Sequence, residues 1–159
     1  MANQDPQPEV YTTTHTFAGA AVSGTSNVIS IFTNQANNEE VRLYAVGVEM
    51  LDATDGSALA AALDYSVSIQ VGPNNVPSNA FSAGYIFSKN DRTLALPTPV
   101  LVLFQQPLQI TVTTNQAVGA NGSDIKITLI GELAIQKIAV HQGNWEHQMN
   151  SMAPQGRQR

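Results

Sequence analysis

The side chains of this sequence best suited to acid–base or metal chemistry are its three histidines, His15, His141 and His147. No H-x-H or H-E-x-x-H spacing joins them, so a metal site would have to be assembled by folding or by association of chains. They read as surface or interface histidines. Asp52, Asp55 and Asp64 crowd one short stretch. The run DATDG lacks the alternating acidic pattern and the closing Glu of a calcium loop, and Asp at such positions forms turns by accepting from nearby amides. Serine and threonine are plentiful, but no G-x-S-x-G elbow presents one as a nucleophile. Glu39 and Glu40 sit together in a polar loop, and Glu132 has no evident carboxylate partner for glycoside chemistry. Neither G-x-x-x-x-G-K-[ST] nor G-x-G-x-x-G occurs. The sequence has no cysteine, which excludes disulfides, thiolate zinc ligands and thiol nucleophiles. The expectation is a non-enzymatic protein with no catalytic set, no metal and no cofactor.

The remaining candidates are contact residues. Trp145 is the only tryptophan, and it lies in a polar, Gln-rich stretch with Met149 and Met152. A lone Trp there has little to bury itself against locally, and aromatic anchors are enriched at protein interfaces. Arg157 and Arg159 end the same stretch. Two arginines supply little affinity for phosphate, and the net charge of −5 argues against broad nucleic-acid binding. At the other end, residues 1–9 are polar and proline-containing. Gln4, Pro6, Pro8 and the nearby Tyr11 are the expected contacts of a first arm; Trp145, Met149, Met152, Arg157 and Arg159 are those of a last one.

The elements between these arms read as β-structure. Val10–Phe17 is β-branched and aromatic. Asn27–Thr33 alternates. Val41–Leu51 is apolar on both faces, as a strand covered on both sides would be. Ser57–Ala62, rich in Ala and Leu and preceded by Asp55, suggests one short helix. Tyr65–Val71 alternates cleanly, with Tyr65, Val67, Ile69 and Val71 on one face. Phe81–Phe87 reads as a strand weakened at Gly84. In Leu94–Phe104, Pro97 and Pro99 confine the segment to an edge or a crossover. Pro107–Leu133 reads as a hairpin. Leu108, Ile110 and Val112 share one face, Ile125, Ile127, Leu129 and Leu133 its counterpart, and the loop Gln116–Ser123 is left to meet a partner.

Eight or nine strands, at most one short helix, and turn signals about every 8–12 residues argue for an antiparallel β-sandwich or a barrel, of which the jelly-roll-like sandwich is the expected one. Crossover helices for a parallel sheet are missing. Two facing sheets of four strands match the jelly roll, whereas the Cys–Trp–Cys core of an immunoglobulin domain is absent. The expected organisation is an N-terminal arm over 1–9, a sandwich over 10–140 and a polar C-terminal arm over 141–159. Charged residues are 12% of the chain, about half the usual share. Thr, Ser, Asn and Gln must therefore build the surface, as on proteins packed against neighbours. No stretch approaches the ~20 apolar residues of a membrane span, and MANQDPQPEVY has neither the basic nor the apolar region of a cleaved signal.

The segment PLQITVTTNQAVGANGSDIKITLIGEL resembles the closing hairpin of small single jelly-roll proteins of phages and other virions. The likeness is carried by Pro107, Ile110, Val112, Thr113, Ile125, Ile127, Leu129, Gly131 and Leu133. Asn27–Met50 is similar to the paired early strands of such proteins. The resemblance implies a structural subunit of a virus or phage particle, as a vertex, minor capsid, decoration or spike-base protein. It implies contacts among copies of the chain and with other virion proteins; the expectation of synthesis in the host cytoplasm comes from the missing cleaved signal. The resemblance carries over no catalytic residues and does not include the Trp145 tail. A carbohydrate- or receptor-binding β-sandwich is the competing expectation; it would use exposed Tyr or Trp side chains.

Overall fold

A computed structural model describes residues 5–77 and 79–135. Among these residues the strands are β1 (Gln7–Phe17), β2 (Ser26–Thr33), β3 (Glu39–Asp52), β4 (Tyr65–Val71), β5 (Asn74–Asn75), β6 (Phe81–Ser82), β7 (Thr93–Val102), β8 (Pro107–Thr114) and β9 (Ser123–Ile135). One helix, α1 (Ala83–Phe87), precedes β7. All pairings are antiparallel. One sheet has the order β1-β9-β3-β7; the other is β2-β8-β4-β5, with β6 also on β4. First pairs with last, second with second-last, third with third-last, and β4 with the short strands that follow it. Successive pairs alternate between the two sheets. This nested winding is a jelly roll, and the all-β sandwich expected from strand spacing is what the chain forms.

The core lies between the sheets. Period-2 alternation turns Val67, Ile69, Leu108, Ile110 and Val112 of one sheet toward Val46, Val48, Met50, Ile125, Ile127 and Leu129 of the other, all essentially solvent-free. Tyr65 spans the two layers. Its ring stacks on Phe17 at 5.1 Å, and its hydroxyl shares a 2.7 Å hydrogen bond with Ser123 Oγ.

Four expectations are corrected. Pro107–Leu133 is not a hairpin: β8 pairs with β2 and β4, β9 with β1 and β3, and the connection crosses from one sheet to the other. Their apolar faces meet through the core rather than side by side. Second, β3 is not covered on both faces. Its register shifts between Leu43 and Ala45 against both neighbours, so the inward set changes parity from Val41 and Leu43 to Val46, Val48 and Met50. A bulge at Tyr44 thus imitates two apolar faces. Third, the helix lies over Ala83–Phe87, where Ser82 Oγ accepts from the Tyr85 amide; 57–62 is a loop bridged to β3 at Leu51 and Ala58. Ser82 is the N-cap that overrides the strand-like look of Phe81–Phe87. Fourth, β1 begins at Gln7, opposite Leu133, so residues 7–9 of the expected arm belong to the sheet.

The loops are held as their residue types suggest. Asp52 Oδ1 accepts from the Thr54 amide and Asp55 Oδ1 from the Ser57 amide, the turn role expected of these aspartates. Those bonds hold both carboxyls below the usual Asp range, the Thr54 amide leading at Asp52 and the Ser57 hydroxyl and amide at Asp55. Asn34 is buried. Its amide donates to the Glu39 and Val102 carbonyls and its Oδ1 accepts from Ala36, tying the β2–β3 loop to the end of β7.

Candidate functional site

Of the expected contact residues, the structure describes three. Pro6 lies ahead of β1 and is exposed; Pro8 is an exposed β1 residue opposite Glu132. Tyr11 points between the sheets instead of outward and stacks on Phe32 at 4.6 Å, so it closes the rim where β1 and β2 meet. Burial, with Glu9 adding to it, raises its hydroxyl pKa. Gln4, Trp145, Met149, Met152, Arg157 and Arg159 lie outside the described residues, as do the tail and the end of the expected sandwich at 136–140.

The same rim holds His15. Asn27 Nδ2 donates to its ring at 2.8 Å from Nδ1, and the ring meets Phe17 edge-on at 4.7 Å. Burial lowers its pKa from the ordinary value, with Asp124 opposing. The unfolded chain therefore takes up this proton at a higher pH than the folded one. In that window the unfolded state holds more protons, so stability rises with pH. The contribution is complete above about 6.5, the unfolded value, and declines as pH falls through the folded value. Thermal melts of the protein between pH 7.5 and 5 should show a loss of stability that is smaller in His15→Gln. Parallel curves for the two proteins would remove His15 as the cause.

Sequence reasoning missed the contrast between the two outer faces. On the four-stranded sheet, Arg42 pairs with Glu40 and lies 3.6 Å from Glu132, while the Tyr44 hydroxyl donates to Glu132. Arg42 and Tyr44 share the outward face by alternation with the buried Val41 and Leu43, and Glu132 lies opposite Arg42 on β9, in a run that reads as plain apolar strand. Lys126 pairs with Glu49 at 2.7 Å farther along. Between the two charged groups, one register row is apolar across all four strands: Val10, Ile130, Ala45 and Ala95. The outer face of the other sheet carries no charge along its rows. They read Ser26–Thr113–Ser66–Ser82, Val28–Thr111–Ser68 and Ser30–Gln109–Gln70–Asn75. Side-chain bonds run along them, from Thr113 to Ser26 at 3.0 Å and from Gln109 to Ser30 at 3.3 Å.

Exposed large apolar side chains are spread over both outer faces and the loops: Val10, Tyr44 and Ile130 on the four-stranded sheet, Val28 on the other sheet, and Tyr85 on α1. Val22 lies on the connection between β1 and β2; Leu101, Leu103 and Phe104 lie at the end of β7 and the turn after it. At one end of the sandwich, the β3–β4 loop and the β8–β9 loop enclose a groove of about 420 Å³. Leu59, Leu63, Asp52 and Asn121 line it, and Asn121 Nδ2 donates to Asp52 Oδ2 at 3.4 Å. This is the loop the sequence left free for a partner, although its Val118 is buried. Among the described residues, no cluster of three or more His, Asp or Glu side chains is placed to hold a metal ion. No helix of the described residues is long and apolar enough to cross a membrane. No protein-family model matches the sequence, and no curated protein matches it.

Proposed function

We propose that the protein is a non-enzymatic structural subunit that works as a homo-oligomer, in a capsid, vertex or spike base of a virus or phage particle. The observation that carries this reading is the set of exposed apolar side chains left on the outer faces and connections of a jelly roll whose core is formed without them. Val10 is 61% exposed, Val22 69% and Val28 55%, and Leu101, Leu103 and Phe104 are each at least 40% exposed. Neighbouring subunits of a symmetric assembly would cover them. The uncharged Ser/Thr/Gln face is a second flat surface that packs without desolvating ions. The likeness of Pro107–Leu133 to virion proteins supplies the kind of particle.

The native mass is the test. Sedimentation of the full chain should give several copies per particle, with higher assemblies as concentration rises. Removal of 141–159, which takes Trp145, Met149 and Met152 with it, should reduce the assembled mass. A strict monomer in both forms at high concentration would overturn the proposal. A second reading, a carbohydrate- or receptor-binding module, has the Asp52–Asn121 groove in its favour, because a carboxylate beside an amide suits sugar hydroxyls. Retention on a glycan array that Asn121→Ala abolishes would favour it.

A further inference from the structure

The two sheets leave four strand edges, and three are protected. β7 is paired only on either side of Pro97 and Pro99. β5 is two residues long between Pro73 and Pro77, and β6 on the same side of β4 is also two residues. β2 has a register shift between Ser30 and Phe32. Proline, shortness and bulges are the devices by which edges avoid pairing with other chains. β1 has none of them beyond Pro8. It runs eleven residues, pairs with β9 in unbroken register, and from Val10 to Phe17 contains no proline, glycine, lysine or carboxylate.

The hydrogen-bond parity shows which backbone groups β1 leaves open. The Val48 amide donates to the Arg92 carbonyl and the Met50 carbonyl accepts from Leu59, so both residues point away from β9. Antiparallel ladders alternate. Gly47, Glu49 and Leu51 therefore bond to Thr128, Lys126 and Asp124, and Ile125, Ile127 and Leu129 turn to β1, opposite His15, Thr13 and Tyr11. That leaves Val10, Thr12, Thr14 and Thr16 with both N–H and C=O directed off the edge. Their side chains are also the exposed ones of the strand.

We propose that β1 pairs antiparallel with β1 of a second copy about a twofold axis beside Thr13, joining two four-stranded sheets into one. This rests on the homo-oligomer reading and specifies its contact. In this register Val10 faces Thr16 of the partner subunit and Thr12 faces the partner's Thr14, so all four open residues bond. Shifting by one pair either way sets Pro8, which has no N–H, or Ala18, beyond the strand, against an open residue. The register is also compatible in charge: Glu9 falls opposite the partner's Phe17 and His15 opposite the partner's Tyr11, with no like charges facing. Thr–Thr pairs across strands are favourable. With β7 broken by its prolines, β1 meets no second complementary edge among the described residues, so the contact is isologous and closes as a dimer. The exposed Val10 lies on this edge strand, within the contact itself.

Amide hydrogen exchange and sedimentation of the full chain test this together. Tyr11, Thr13 and His15 should be protected by β9 in any state. Val10, Thr12, Thr14 and Thr16 should be protected only in a particle of even copy number. Thr14→Pro deletes an N–H that β9 does not use, so it should keep the fold and halve the mass. If it fails to fold, the paired change Thr12→Lys and Thr14→Lys, both exposed positions, should give the same halving. An oligomer whose mass survives these changes and whose four amides exchange freely overturns this interface while leaving homo-oligomerisation intact. A monomer at all concentrations overturns both. Protection of the four amides at monomer mass also overturns it, and gives the edge to another segment of the same chain.

Discussion

Tyr65→Ala is expected to cost the fold about 3–5 kcal/mol, the range for truncating a buried aromatic, with a further increment from the hydroxyl it abandons. Tyr65 is solvent-free, belongs to the β2-β8-β4 sheet, and makes its two specific contacts to the other sheet: the ring to Phe17 and the hydroxyl to Ser123. Ser123 is itself buried. Burial raises the Tyr65 pKa, so the hydroxyl stays protonated and the pair is neutral at all ordinary pH. Domains of this size are stable by roughly 5–15 kcal/mol, so the loss should be a large part of the whole. Tyr65→Phe separates the two contributions. It keeps the stack and orphans the Ser123 hydroxyl, which should cost about 1–3 kcal/mol. Adding Ser123→Ala to Tyr65→Phe removes the orphan and should recover much of that loss. Urea unfolding of the three variants measures all of this. A Tyr65→Phe protein as stable as the parent would show that the bond between the sheets contributes nothing.

The residues that make this core were legible in the sequence, and their neighbours were not. Alternation in Tyr65–Val71, Leu108–Val112 and Ile125–Leu129 identified inward faces, because every second side chain of a strand shares a side. It carries no information about which strand lies alongside. Two consecutive alternating segments joined by a loop therefore look like a hairpin whether they pair laterally or face each other through a core. Here the loop from Asn115 to Gly122 is long enough to cross the sandwich, and β8 and β9 oppose one another. The bulge at Tyr44 was hidden for a related reason. One inserted residue shifts the phase of alternation, and a shifted phase reads as two apolar faces. The prolines of β7 were readable as an edge signal because the missing N–H is a property of the residue itself. The open edge of β1 was not readable, since it is set by where β2 to β9 end up. Aromatic character alone does not say which way a side chain faces: the place of Tyr11 in the alternation turns it toward Phe32.

Gly131→Ala should destabilise the protein by about 1–3 kcal/mol or more, the usual cost of forcing extra atoms into a packed site. Gly131 sits in β9 opposite Leu43 on one side and Glu9 on the other, where β3 enters its bulge. A methyl group here would fall on the Arg42 carbonyl oxygen and lie 3.0 Å from the Arg42 carbonyl carbon and the Leu43 Cα. These are backbone atoms of a central strand, so no side-chain rotation relieves the contact. β3 would have to move away from β9, pulling Arg42 and Tyr44 from Glu132 as it goes. Gly47 provides the control on the same strand pair. Its added Cβ would meet nothing nearer than Thr128 Cβ at 3.6 Å, an ordinary contact. Gly47→Ala should therefore be neutral or stabilising by about 0.4–1 kcal/mol, through the lower entropy of its unfolded chain. Two identical substitutions in paired strands are thus expected to have opposite signs, and chemical denaturation of both decides it. A Gly131→Ala protein as stable as Gly47→Ala would mean that β3 and β9 are not held this close at the bulge, and the packing of Arg42, Tyr44 and Glu132 built on that approach would fall with it.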